Sequence, residues 1–267
     1  MADPNFFGFD AIDGKVQLAS STVSNTFTDS GDLVTAAAHG LANGDVVVFQ
    51  TKVTTTGLTT FVEYFVVSAT TNTFQIAATY GGSAVVLTSD GTGTYKSIVE
   101  VDLKFINKAT PSADSQEFTY SGDGLTRKQK KTTGYQVVLS ADCLTQDARE
   151  TIFSMTAVTS GLPAAYTRGV WEGTTTELAG VACGVWLEGT ATKVDATTGV
   201  ESSVYLRRWW PVGRIVYDGP PEQESSNKFG LDQYTFTASK TSVDICGGAL
   251  PSVPSGGAFQ IPMEKAA

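Results

Sequence analysis

The chain is 267 residues long, enough for one large domain or two small ones at about 100–200 residues per domain. Its 18 basic residues against 27 acidic ones give a net charge of −9, which argues against a duplex-binding face built on Lys and Arg. With 41% hydrophobic residues it is not a disordered chain. Its abundance of Thr, Val and Gly is that of a β-rich protein, because these residues fit pleated surfaces and turns.

In chain order, Lys15–Ser20 alternates and reads as a short strand. Residues 21–97 carry many Thr, Val and Gly and a succession of strand-like runs at Leu33–Ala36, Val46–Gln50, Tyr64–Ser68, Thr73–Ala77 and Ala84–Thr88. Turn signals separate them at Asn43-Gly44-Asp45, Thr71-Asn72, Gly81-Gly82 and Asp90-Gly91, and Gly91-Thr92-Gly93-Thr94 reads as a strand-end turn. The expected result is a small antiparallel β domain over 21–97. Ile98–Phe105 then alternates cleanly, with Ile98, Glu100, Asp102 and Lys104 on one face and Val99, Val101, Leu103 and Phe105 on the other.

Residues 106–133 form a polar excursion ending in Arg127-Lys128-Gln129-Lys130-Lys131, too long for an ordinary loop and expected to be a projecting hairpin or arm. A strand resumes at Tyr135–Leu139. Ser140 is placed to cap a helix over about 141–155, whose Leu144, Ala148, Ile152 and Met155 form one apolar stripe. Further strands are expected at Thr167–Glu172, Ala179–Glu188, Val204–Trp209, Arg214–Tyr217 and Gln233–Ser239. The tail, 247–267, reads as extended or poorly ordered.

The usual chemical signatures are missing. The one histidine, His39, would have to serve any histidine triad or zinc site alone. Cys143, Cys183 and Cys246 have neither disulfide-framework nor zinc spacing. Gly8 to Lys15 lacks P-loop spacing, and Asp10 to Gly14 lacks the later ligands of a calcium loop. No run approaches the roughly 18 apolar residues of a membrane span, and the first residues lack the basic and apolar regions of a secretory leader. Catalysis, cofactors, metals and membrane contact are therefore not expected. Two carboxylates brought together by folding would be the one route to a hydrolase. The basic clusters at Arg127–Lys131 and at Arg207-Arg208-Trp209-Trp210 read as interfaces to acidic surfaces of other subunits, in preference to nucleic-acid contacts.

The order of elements over 98–246, a strand, a long polar arm, a strand, a single helix and then Thr-rich strands ending in Tyr205–Pro211 and Gln233–Thr237, resembles the major tail tube proteins of long-tailed bacteriophages. Residues 1–20 resemble the first strand of that domain. The segment His39-Gly40-Leu41-Ala42-Asn43-Gly44-Asp45, with Tyr64–Val67, Asn72–Ala77 and Gly91–Gly93, is similar to a β module that recurs in phage tail and fibre proteins. The resemblance implies a mainly β fold of two packed antiparallel sheets with one flanking helix, formed by residues 1–20 and 98–267 and interrupted by the inserted domain at 21–97. It implies rings, six-fold in that family, that stack into a virion tail tube made in the host bacterial cytoplasm. The partners are then other copies of the chain and the tape measure, tail terminator and distal tail proteins. DNA passes without specific binding. Arg127, Lys128, Lys130 and Lys131 become candidates for contact between rings, Glu100 and Asp102 for lining an acidic lumen, and His39, Gly40, Asn43, Gly44 and Asp45 for holding the module's turn. The competing expectation is a carbohydrate-binding or adhesion protein of a virion or cell surface, using Trp171, Trp186, Trp209 or Trp210 to stack on sugars.

Overall fold

The computed structural model describes residues 6–9, 13–103, 106–122, 125–141, 146–153, 157–158, 169–170, 180–194, 199, 201–219, 232–250 and 261–264. In chain order the elements are β1 (Phe6–Phe9), β2 (Asp13–Ala19), β3 (Val23–Thr28), β4 (Leu33–Thr35), β5 (Val46–Val53), β6 (Glu63–Val67), β7 (Thr73–Ala77), β8 (Gly91–Leu103), β9 (Ile106–Gly122), β10 (Leu125–Ala141), α1 (Gln146–Phe153), β11 (Ala157–Val158), β12 (Gly169–Val170), β13 (Val181–Val194), β14 (Glu201–Gly219), β15 (Asp232–Ala238) and β16 (Ile261–Glu264). The protein is mainly β and sandwich-like, with antiparallel pairing and one helix among the described residues. It divides into two compact units, 1–16 with 101–241 and 254–267, and 17–100 with 242–253.

The smaller unit is a closed barrel. Its strands run in the order β3-β4-β7-β6-β5-β8, and β8 returns to pair with β3 through Val23↔Tyr95 to Phe27↔Gly91. Alternation along each strand sends Phe27, Val34, Val47, Phe49, Tyr64, Val66, Phe74, Ile76 and Tyr95 inward, all buried. The rings of Phe49, Phe27, Tyr95 and Phe74 meet at centroid distances of 5.3–5.9 Å in tilted or edge-on arrangements, the geometry their quadrupoles favour.

Four sequence expectations change here. Strand β3 has no counterpart among them, because Ser24, Asn25 and Thr26 mask its alternation. Gly91–Thr94 is no turn but the first part of β8, paired on both sides. Ala84–Thr88 is not a strand: only Ala84 makes a bridge, to Ala77, while the Leu87 N–H donates to Asp32 Oδ1 and leaves the ladder. Residues 242–250, of which 247–250 belong to the expected tail, form a strap on the barrel instead. Cys246 and Leu250 are buried, Gln50 Nε2 donates to the Cys246 carbonyl at 2.8 Å, and Asp244 Oδ1 accepts from the N–H groups of Cys246 and Gly248.

The larger unit is built on the order β2-β13-β14-β15-β10-β9, with β1 added to β13 and β16 to β14. Residues 261–264 of the expected tail are thus a paired strand. The two strands expected at 204–209 and 214–217 are one, β14. Its register slips where Trp210 and Gly213 face Val185 and Cys183, an extra residue that accommodates Pro211, which has no N–H to give the ladder. The helix is shorter than its apolar stripe suggests. Ser140 and Ala141 do not cap it but end β10, opposite Gln233 and Asp232, because cross-strand pairing outweighs a local cap. Ala148, Ile152 and Phe153 are buried, and Phe153 stacks on Tyr234 at 6.4 Å, so the helix covers the face of β15. The predicted strand at 167–172 lies outside the described residues apart from β12, as do Lys104, Phe105, Leu144 and Met155.

Candidate assembly surfaces

The arm is a hairpin. β9 and β10 pair along their whole length, from Leu125↔Gly122 to Ala141↔Ile106, with irregularities at Thr132/Gly134 and Ser140/Ala141. β15 joins β10 only between Tyr135 and Ala141. Residues 125–134 and the β9 residues facing them therefore form a two-stranded ribbon with no third strand among the described residues. At about 3.3 Å per residue it is about 33 Å long. Both edges present backbone N–H and C=O groups, and an isolated two-stranded hairpin is at best marginally stable in water. Register sets Arg127 opposite Tyr120, Lys128 opposite Thr119, Lys130 opposite Glu117 and Lys131 opposite Gln116. Lys128 Nζ reaches Glu117 Oε1 at 2.7 Å, with both side chains more than half exposed. The side chains of Arg127, Lys130 and Lys131 lie outside the described residues. By sequence, residues 114–134 carry four cations against the three acids Asp114, Glu117 and Asp123, a net charge of +1.

A second surface lies on the larger unit, where neighbouring strands bring alternating charges together. Lys15 Nζ of β2 lies 3.7 Å from Asp102 Oδ1 of β8. On β13 and β14, Glu188 sits directly opposite Arg207, whose guanidinium holds Glu188 Oε2 through Nε at 2.8 Å and Nη2 at 2.7 Å. Beneath them is Trp186, only 5% exposed, with Lys15 Nζ 5.1 Å and the Arg207 guanidinium carbon 4.3 Å from its ring centroid. A cavity of about 330 Å³ opens between Asp13, Lys15, Asp102, Trp186 and Glu188. Burial first, and then Glu188, pushes the Tyr205 hydroxyl above its ordinary range. Gly14 makes the layer possible: a Cβ there would come within 2.5 Å of Ile106 Cδ1 and 2.8 Å of Leu187 Cδ2.

Of the two lumen candidates, Asp102 belongs to this layer in ion-paired form. Glu100 falls in the smaller unit, is exposed, and accepts a 2.9 Å hydrogen bond from Gln17. The sequence reading missed Lys15 and Glu188, since only strand register reveals their partners.

The turn residues of the inserted module hold the turn. His39 Nδ1 accepts from the Leu41 N–H at 2.9 Å, and its ring meets Phe74 edge-on at 5.1 Å. Asn43 Oδ1 accepts from Ala69 N–H and Asp45 Oδ2 from Ala42 N–H, both at 2.8 Å. Gly40 and Gly44 have φ of 68° and 97°, the region glycine adopts without penalty. Trp186 and Trp210 are buried, Trp209 is half-buried, and Trp171 lies outside the described residues. Among the described residues no three His, Cys, Asp or Glu side chains converge on a common point, and no helix is long and apolar enough to cross a membrane. No family model, no curated protein and no solved structure matches the chain.

Proposed function

We propose that the chain is a structural subunit that polymerises as stacked rings into the tail tube of a long-tailed bacteriophage, an acidic conduit for DNA. The observation that carries this reading is the ribbon of β9 and β10 beyond Tyr135, about 33 Å of hairpin with open edges and, among the described residues, no third strand to steady it. A ribbon of this kind gains stability by docking on another subunit, where edge hydrogen bonds and matched charges replace water. Its near-neutral charge favours a mixed salt-bridged contact over a simple basic-to-acidic one.

The net charge of −9 supports the conduit. On the charged layer both Lys15 and Arg207 are held by carboxylates and by the face of Trp186, so a passing phosphate meets cations that are already engaged. Contacts with the tape measure, terminator and distal tail proteins follow from the same reading, as does residence in the virion.

The test replaces residues 114–134 by a two-residue Asn-Gly turn and compares both proteins, concentrated, by sizing column and negative-stain microscopy. Hollow tubes or rings from the native chain and only monomers from the shortened one support the proposal. Tubes from the shortened chain, or no hollow particles from the native chain at any concentration, overturn it.

A further inference from the structure

The ribbon of β9 and β10 has two unlike faces. Its register runs without a slip from Leu125↔Gly122 to Thr132↔Ser115, and residues directly opposite each other in an antiparallel pair share a face. One face takes Ser115, Glu117, Thr119 and Ser121 of β9 with Lys128 and Lys130 of β10. It carries no apolar residue. Glu117, Thr119 and Lys128 are exposed there, and the 2.7 Å Lys128–Glu117 ion pair belongs to it. The other face takes Phe118 and Tyr120 of β9 with Leu125, Arg127, Gln129 and Lys131 of β10. All three large apolar residues of 114–134 are thus placed on one side.

Alternation of this kind marks a strand pair with one side packed and the other wet. Beyond Tyr135 the ribbon has no third strand among the described residues, and two strands make no core between them. The cover for Phe118, Tyr120 and Leu125 must therefore come from outside the ribbon. Charge points to its source. Arg127 and Lys131 share their face with no acid from 115–132, whereas Lys128 has Glu117 on the other. The segment 114–134 carries +1 in a chain of −9, which leaves −10 for the rest of the chain. The surface of another copy offers carboxylates to these two cations as well as contact for the apolar residues.

We propose that the ribbon of one copy lies on a second copy through the face of Phe118, Tyr120 and Leu125, with Arg127 and Lys131 meeting carboxylates and the face of Glu117 and Lys128 left to solvent. This rests on the reading of the chain as a polymerising subunit and adds the side of the ribbon that makes the contact. Pairing through the strand edges alone would leave both faces equally open. Packing through one face closes that face and spares the other.

The test places single thiols on both faces of the full-length chain in a Cys143→Ala background: Phe118→Cys and Tyr120→Cys on one, Thr119→Cys and Ser121→Cys on the other. Each variant is mixed as a minor fraction with the Cys143→Ala carrier, and its reaction with a polar maleimide is timed in the dilute chain and in assembled particles. In the dilute chain all four should react alike. In the particles, positions 118 and 120 should slow by about tenfold or more while 119 and 121 stay within about threefold, because a packed interface excludes water and reagent from one side only. Equal protection of both faces, protection of 119 and 121 alone, or full reactivity at 118 and 120 overturns the proposal and leaves the polymer reading standing. Slow reaction at 118 and 120 already in the dilute chain means that the face is covered within its own copy and also overturns it. If the carrier forms no particles at any concentration, the polymer reading falls and this proposal with it. Phe118→Ser should raise the concentration at which particles form by about tenfold or more, as expected for one buried aromatic side chain, and Thr119→Ser should leave it within about threefold; equal thresholds count against the assignment.

Discussion

Removing the Arg207 guanidinium tests the charged layer most directly. In Arg207→Met the stem is kept, but Glu188 loses both hydrogen bonds to its Oε2 and Trp186 loses the planar cation 4.3 Å from its ring. The Glu188 side chain is 15% exposed and the Arg207 side chain 44%. A hydrogen bond to a charged group is worth about 1.5–3 kcal/mol, and solvent screening at Arg207 places this one at the lower end. The stacked cation adds about 0.5–1 kcal/mol. The expected loss is about 2 kcal/mol, or a shift of about 1 M in the urea midpoint for an m-value of about 2 kcal/mol/M. The two units can unfold separately, so the large unit's transition is followed through the fluorescence of its tryptophans. A cycle with Glu188→Gln isolates the pair and should return a coupling of about 1 kcal/mol that persists in high salt, because Glu188 is largely shielded from water. A coupling below about 0.3 kcal/mol would refute the reasoning and reduce the layer to solvated side chains that happen to be close.

Gly93→Ala should destabilise the barrel by about 2 kcal/mol in a urea melt, since the new methyl meets the Thr51 carbonyl oxygen at 2.5 Å and the Phe27 ring at 2.7 Å; an unchanged midpoint would mean that β5 and β8 yield freely. In a Cys143→Ala background neither remaining thiol should react with a disulfide reagent at pH 8, because burial pushes Cys183 up to about 12 and Cys246 up to about 11. Unfolded thiols ionise near their ordinary value while these stay protonated. The unfolded state then binds fewer protons, and stability should fall as pH rises from about 9 toward those values, a trend a pH series of melts would reveal. Excising residues 21–97 should leave 242–253 without the barrel that buries Cys246 and Leu250, and limited proteolysis should cut there in the shortened protein but not in the native one.

What the sequence made legible was local. The Asn43-Gly44-Asp45 turn, the alternation of 98–103 and the long polar hairpin all follow from patterns within a few residues of each other. Barrel closure was not legible. It joins Val23–Phe27 to Gly91–Tyr95 across more than sixty residues, and β3 contributes a single large apolar residue to the core between two polar ones. The ionic layer stayed hidden for a related reason, since Glu188 and Arg207 become partners only once β13 and β14 fix their register. Ser140 misled because a good capping residue is also acceptable at the end of a strand, and the ladder with β15 decided its place. Val99 is exposed although it shares the apolar side of its strand with buried Val101 and Leu103, so alternation there outruns the core it points to.

The inserted barrel offers its neighbours no loose ends, because each of its six strands is already flanked on both sides by its own kin. Such a cylinder is a safe passenger. Where many copies are crowded side by side, as in any polymer, it cannot be recruited into a growing ladder or seed a fibre of its own. The passenger's outer wall is then free to diverge in sequence without exposing a strand edge.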